Sequence, residues 1–353
     1  IGVDVGLFSD RITFAVELYT KVTDDMLQKK IKVPSSTGLS TVAWYNSGKM
    51  ENRGWEFNID VAAVRTKDWG LNFGFNISQN KNKVLELPEN QSDETYTFGN
   101  KKYAYRVLMG DPLGSFYGYR YKGVYQNVEE TYAVDKTGQQ IMDINGAPVV
   151  VKNGDQKVYP GDAKYEDVNG DGVIDENDIV YLGNSNPTLT GGLNFTLRYK
   201  KLSLVAALHG RAGQKVINES RINMENMYGK NNQSVAVLRR WRSEGDNTDI
   251  PRALYDKGYN YLGSDRFVED ASFLRLKTIT LKYQFPENWM KPLGINKLEI
   301  YATGYDLFVW TKYTGQDPEI NLKNPDGSAA QVAIDSNNTP KAMRFAFGLN
   351  LRF

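Results

Sequence analysis

Cysteine is absent from the 353 residues, which removes both a disulfide framework and thiolate chemistry. A single histidine, His209, cannot build a histidine-rich metal centre and argues against a histidine-based catalytic triad. An excess of one charge is missing too: 43 Lys and Arg stand against 42 Asp and Glu, so no nucleic-acid footprint is expected. Nowhere do about 18 apolar residues follow one another, as a membrane-spanning helix requires. The opening Ile1-Gly2-Val3-Asp4-Val5-Gly6-Leu7-Phe8 carries no basic leader and reads as a strand, the later part of something longer. Glycine (32), tyrosine (22) and an aromatic share of 12% are abundant, which suits strands joined by tight turns. A mean hydropathy of −0.52 is compatible with a membrane barrel, whose polar inner residues dilute the apolar outer ones.

The last stretch, Arg344-Phe345-Ala346-Phe347-Gly348-Leu349-Asn350-Leu351-Arg352-Phe353, alternates strictly. Side chains of a strand switch faces with a period of two, so one face is apolar and the other polar or small. The terminal strand of a bacterial outer-membrane barrel has this form, its apolar face on lipid and its polar face on the lumen. Similar alternation recurs in residues 1–8, Ile12 to Tyr19, Trp55 to Val61, Leu71 to Ser78, Thr188 to Tyr199, Leu202 to His209, 271–285 and Lys297 to Val309. Asn58, Asp60, Asn72 and Asn76 recur opposite Phe57, Ile59, Phe73 and Phe75, fitting a wet interior. The alternation slips at Ala302-Thr303-Gly304, where a bulge is expected.

Connections sort by length. Short ones fall at 9–10, 66–69, 200–201 and 286–296, long ones at 23–52, 84–186, 213–268 and 312–340, in strict alternation. Outer-membrane barrels have short periplasmic turns and long extracellular loops, whereas a soluble sandwich has no reason to sort its loops. The expected fold is all-β: a transmembrane antiparallel barrel portion with about nine spanning strands of about 10 residues. The expected division is barrel strands over 1–83, an extracellular insertion over 84–186 and barrel strands over 187–353. Extracellular loops interrupt that last part at 213–268 and 312–340, the former with a helical stretch around Val235 to Arg242.

One local motif carries chemistry. Asp167, Asn169, Asp171, Asp175 and Asp178 place side-chain oxygens at positions 1, 3, 5, 9 and 12 of a calcium loop. Gly172 occupies position 6, and Val173 at position 7 would lend its carbonyl. The expected ion is a structural Ca2+; an Asp/Gly-rich turn with no ion is the alternative. Position 12 is Asp rather than Glu, and the flanks read as turns rather than helices. His209 is read as a hydrated lumen residue, and Trp241 among Arg239, Arg240 and Arg242 as an inward ring with solvated charges. No carboxylate pair stands out for hydrolysis, and no enzymatic activity is expected.

Several stretches together carry a family resemblance: Asn52-Arg53-Gly54-Trp55-Glu56-Phe57; Gly114-Ser115-Phe116-Tyr117-Gly118-Tyr119 with Gly123-Val124-Tyr125-Gln126; and Gly161-Asp162 leading into the Asp167 loop and Gly183-Asn184. Arg240-Trp241-Arg242, Pro251-Arg252-Ala253, Ala271 to Leu276 and Leu307 to Glu319 follow. In this order, and with the terminal Phe353, the chain resembles the C-terminal barrel of SusC/RagA-type TonB-dependent outer-membrane transporters of the Bacteroidetes. That resemblance implies a barrel of about 22 strands, plugged by an N-terminal domain and driven through TonB. It implies a SusD-like surface lipoprotein as lid and an oligomeric ligand, usually a glycan and sometimes a peptide. The plug, the TonB box and the remaining strands lie outside this chain. Passive porins or surface-adhesin barrels would share the alternation. A secreted calcium-dependent carbohydrate-binding or hydrolytic β-domain, whose half-buried edge strands also alternate, would be water-soluble, and the lipid-type faces at 55–61, 71–77 and 345–353 argue against it.

Overall fold

The computed structural model describes residues 1–32, 35–38, 41–46, 48–87, 95–98, 103–323 and 332–353. Parts of the expected insertion (88–94 and 99–102) and of the 312–340 loop (324–331) therefore lie outside the described residues. Nine strands make one sheet: β1 (Gly2–Leu7), β2 (Ile12–Thr23), β3 (Lys49–Arg65), β4 (Trp69–Glu86), β5 (Leu189–Tyr199), β6 (Leu202–Ala212), β7 (Phe273–Gln284), β8 (Lys297–Thr311) and β9 (Arg344–Arg352). Each pairs antiparallel with the next, so the sheet is a simple meander. Its joints alternate short and long as the sequence spacing requires. Among the described residues no helix is long and apolar enough to cross a membrane.

Register turns the alternation of single strands into two continuous faces. Phe345, Gly304, Ile279, Ala206, Phe195, Phe73, Val61, Ile12 and Leu7 form one row across all nine strands. On the opposite face Arg344, Tyr305, Thr278, Ala207, Asn194, Gly74, Asp60, Thr13 and Gly6 form another. A one-residue slip at any joint would break both rows, so the pattern pins the pairing. The apolar face is bare: Phe345 is 67% and Phe347 80% exposed. A soluble sandwich would pack a second layer there, because a patch this wide is costly in water. Aromatics edge the band at both ends. Trp69 lies against Tyr199 near the short turns (ring centroids 4.4 Å apart), and Phe308 stacks with Trp310 near the long loops (6.1 Å).

The bulge of β8 lies elsewhere than its sequence slip suggests. Residues 297–305 pair regularly, and the register shifts where Asp306 and Leu307 face Lys277, between Leu276 and Thr278. Asp306 takes a left-handed φ of 51° there. Gly304 breaks the pattern for a different reason: Leu307 Cδ1 lies 2.7 Å from where a Cβ would stand, so a side chain at 304 would displace it.

The buried core belongs to the loops. Tyr103, Phe116, Ile217, Ile222, Phe267, Val332 and Ile334 form one cluster drawn from all three long connections that follow β4. A second gathers Tyr119, Tyr125, Val151, Val158, Tyr165 and Ile174 of the insertion around Leu262 of the next loop. The insertion thus closes its core with its neighbours' residues, and the loops form one joint cap. The stretch expected to be helical at Val235 to Arg242 is only a 3-10 helix, Val235–Arg239, ending where Arg240 turns extended.

Candidate functional site

The bulge gathers charge on the polar face. Arg275, 2% exposed, projects from β7 between carboxylates of β8 and of the loop that follows it. Its Nη2 meets Asp317 Oδ1 at 2.5 Å, its Nε lies 3.3 Å from Glu319 Oε2, and its Nη1 4.0 Å from Asp306 Oδ1. Lys277 Nζ, lifted out of the ladder by the bulge, donates to Glu319 at 3.0 Å, and Lys341 pairs with the same carboxylate. Arg344 Nη2 stands 4.0 Å from Asp306 Oδ2. Burial disfavours the charged form of Glu319, but the Lys341 and Lys277 hydrogen bonds outweigh it and bring its pKa down to about 2.

Backbone contacts complete the anchorage. Asp317 Oδ1 accepts from Glu319 N (2.9 Å) and Oδ2 from Lys341 N (3.2 Å). Gln214 Nε2 donates to Pro318 O (3.0 Å), and Tyr313 Oη to Asp335 Oδ2 (2.7 Å). The cluster ties the last long loop to the wall. Asp306, Asp317 and Glu319 face cations and backbone N–H groups, an arrangement that holds the loop in place. Their joint role escaped the sequence reading, where Ala271 to Leu276 and Leu307 to Glu319 served only to carry the resemblance. The available signal was Arg275 and Lys277, two cations beside an apolar strand, together with the acid-Pro-acid run Asp317-Pro318-Glu319.

The six residues of the calcium-type loop follow one turn of the cap, Asp171 exposed, Asp178 buried and the others half-buried. Asp167 accepts from Gly170 N and Gly172 N, both at 2.7 Å. Asp171 Oδ1 accepts from Val173 N (2.8 Å), and Asn169 Nδ2 donates to Asp171 Oδ2 (2.8 Å). Asp175 Oδ1 accepts from Asn177 N (2.8 Å). Asp178, fully buried, accepts from Val168 N (2.8 Å) and Asp175 N (2.9 Å); burial and then, more weakly, the Asp167 charge push its pKa up. Gly172 has φ +82°, the sharp turn a sixth position demands. The Gly172 and Ile174 carbonyls accept from Lys152 N and Gly154 N, turning the Val173 carbonyl away from that ladder. Among the described residues no group of three or more acidic or histidine side chains is gathered as a metal cluster. Nor does a basic side chain form an ion pair with Asp167, Asp171, Asp175 or Asp178.

His209 sits on the polar face, paired across the ladder with Gly192 and Arg275, its ring 5.8 Å from that of Phe273. The Trp241 ring covers Gly161, while the flanking Arg239 and Arg242 are exposed.

No family model matches the chain. Its whole length is similar to TonB-dependent receptor P3 of Formosa agariphila, at 30% identity over 361 residues and 33% of that protein. It is 32% identical over 363 residues to TonB-dependent receptor P26 of the same organism, covering 34% of it. TonB-dependent receptor SusC of Bacteroides thetaiotaomicron matches at 28% identity over 361 residues, 31% of its length. The chain thus spans about a third of the curated relatives it matches. Among solved structures, the RagAB peptide transporter superposes with a TM-score of 0.73 at 23% identity, over 99% of this chain and 34% of that one. The RagAB peptide importer in its "closed-closed" state gives a TM-score of 0.73 at 24% identity over the same shares. These two superpositions establish the fold.

Proposed function

We infer that this chain, a barrel portion of the SusC/RagA type of TonB-dependent transporter in the outer membrane, works in the active import of oligomeric nutrients, a glycan before a peptide. The supporting observation is the pairing of two features in one sheet: a lipid-type face across nine strands, and every long loop at one end. A wall of this form separates lipid from an aqueous path. Its cap, on the extracellular side, offers a folded surface on which a SusD-like lipoprotein would sit as lid. Energy would come from TonB through a plug segment outside this chain. The transport step is binding and gated passage, with no bond made or broken by the chain, so the protein is no enzyme.

The test is uptake of fluorescent oligosaccharides and oligopeptides by cells carrying the full-length protein, with and without TonB and a protonophore. Import that needs both the protein and TonB, with the lipoprotein copurifying, is expected. Uptake that persists without TonB would instead make the barrel a passive porin. Absence of any uptake defect on deletion would point to an adhesin.

The Asp167–Asp178 loop supports a second proposal, a structural Ca2+ that stiffens the insertion. The fit lies in donor type, order and charge: four carboxylates and one amide oxygen, with the carbonyls on either side of Val173, those of Gly172 and Ile174, taken by Lys152 N and Gly154 N. These carboxylates now cap backbone N–H groups, and a bound cation would draw them inward and neutralise them. Protease resistance of the insertion in full-length protein should fall on chelation, and Asp167→Ala with Asp171→Ala should abolish that dependence. Cleavage indifferent to chelator would remove calcium from the account.

A further inference from the structure

A cleft of about 310 Å3 opens in the cap between the 153–163 stretch of the insertion and the 252–260 stretch of the next loop. It is apart from the charged cluster at the wall and from the oxygen ligands of the Asp167 loop. Its size sits at the low end for small-ligand pockets, about 300–1,000 Å3, which suits one sugar ring rather than a run of them.

The floor of the cleft is built rigidly. Arg252 forks onto Asp162, with Nε to Oδ1 at 2.7 Å and Nη2 to Oδ2 at 3.2 Å. Asp162 Oδ2 also accepts from Tyr159 N at 2.9 Å. Asn260 clamps both sides, its Oδ1 accepting from Ala163 N (2.8 Å) and its Nδ2 donating to Arg252 O (3.1 Å). The Arg252 guanidinium lies 5.6 Å from the centre of the Tyr159 ring, which is 57% exposed at the mouth. A fork-to-fork pair of this kind fixes geometry and leaves little net charge.

Charge at the cleft then comes from its rim. Lys157 and Lys257 are both exposed, line the cleft, and have no ion-pair partner among the described residues. With Arg252 and Asp162 cancelling, the two lysines outweigh Asp155, which accepts from Tyr259 Oη (2.9 Å) at the edge, and the cleft is left net cationic. An exposed ring face accepts the C–H face of a pyranose, the exposed Gln156 amide meets its hydroxyls, and two lysines meet an anionic substituent. An extended peptide would instead need a strand edge. The strands here, Lys152–Asn153 and Gln156–Lys157, are two residues each and pair with one another.

We propose that this cleft is a subsite for one acidic sugar residue, a pyranose bearing a carboxylate or a sulfate. It deepens the import reading, on which it rests for its purpose alone, because binding is measured without transport.

The experiment is saturation-transfer NMR on the full-length protein in detergent. The probes are glucuronate, galacturonate and glucose 6-sulfate, with glucose and galactose as neutral controls and N-acetylglutamate N-methylamide as the peptide control. At least one acidic sugar should bind, at least tenfold more tightly than its neutral counterpart, and weaken as salt rises. Lys157→Gln with Lys257→Gln, exposed and expected to fold, should erase that preference. Tyr159→Ala should weaken the acidic sugar while its salt dependence remains. The carboxylate and sulfate probes tell the two sources apart. No binding by any acidic sugar, equal binding of neutral sugars, a lysine double variant that binds as the parent does, or a tighter peptide control would each overturn the proposal. Binding without TonB-dependent uptake would instead overturn the import reading and leave the subsite standing.

Discussion

Phe75→Arg places a charge near the middle of the apolar band. Phe75 stands on β4 beside Leu193 of β5 and Ile59 of β3, all on the outward face. It lies six residues from Trp69, whose ring marks the short-turn girdle. At about 3.3 Å per residue and a tilt near 45°, that is about 14 Å up a band about 25 Å tall. Arginine at the midplane of such a band costs about 2–4 kcal/mol, which lowers the folded-to-unfolded ratio by about 30- to 1,000-fold. The neighbouring Asn76→Arg, on the polar face, should cost little. Urea titration of full-length protein refolded into lipid vesicles, read by the gel shift of folded barrels, measures both. Assembly of Phe75→Arg with an unchanged midpoint, or a larger loss for Asn76→Arg, would refute the assignment of faces.

Three further outcomes are expected. Arg275→Met should destabilise by about 3–5 kcal/mol, because it strands the buried Asp317 beside Asp306 and Glu319. Adding Asp317→Leu should recover part of that loss in the same titration, and an additive double variant would show that the pair does not couple. Glu319 ionises more readily in the fold than its ordinary 4.5, down to about 2, so its stabilisation is complete above pH 4.5 and lost as pH falls through 2. Solvent screening keeps that contribution below the roughly 3 kcal/mol of an unscreened shift, and amide exchange around Tyr313 to Glu319, corrected for intrinsic rates, should rise over this window and no higher. Gly161→Ala would set a Cβ 2.3 Å from Trp241 Cε3 at a φ of +89°. At a cost of about 1–3 kcal/mol it should expel that ring and open the 235–250 segment to protease, whereas unchanged cleavage would leave the packing of Trp241 irrelevant.

The wall was legible because its information is local. Alternation in Trp55 to Val61 or Phe345 to Leu351 marks a strand and its faces before any partner is known, and loop lengths then order the strands. The cap was not legible, because its pairings are distant: Phe116 shares a core with Ile334, and Leu262 completes a core begun at Tyr119. The slip at Ala302 to Gly304 misled for a related reason. Gly304 is small to make room for Leu307, a contact within the same strand that alternation does not encode. Arg275 entered only as part of a stretch carrying the resemblance, because the bulge and the 312–320 turn that bring Asp306, Asp317 and Glu319 to it are not encoded in alternation. The acidic loop was found by spacing alone, and spacing gave no sign that its last carboxylate, Asp178, is buried.

The most direct test of the barrel account is an accessibility scan of β9 in the membrane. This chain contributes no cysteine of its own, so single cysteines at 345–351 can carry a spin label in full-length protein embedded in bilayers. Relaxation by oxygen, which concentrates in lipid, is compared with relaxation by a water-soluble nickel chelate. The account predicts a period of two: oxygen dominates at Phe345, Phe347, Leu349 and Leu351, and the chelate at Ala346, Gly348 and Asn350. Equal access on both faces, or oxygen exposure on the Gly348 side, would contradict it.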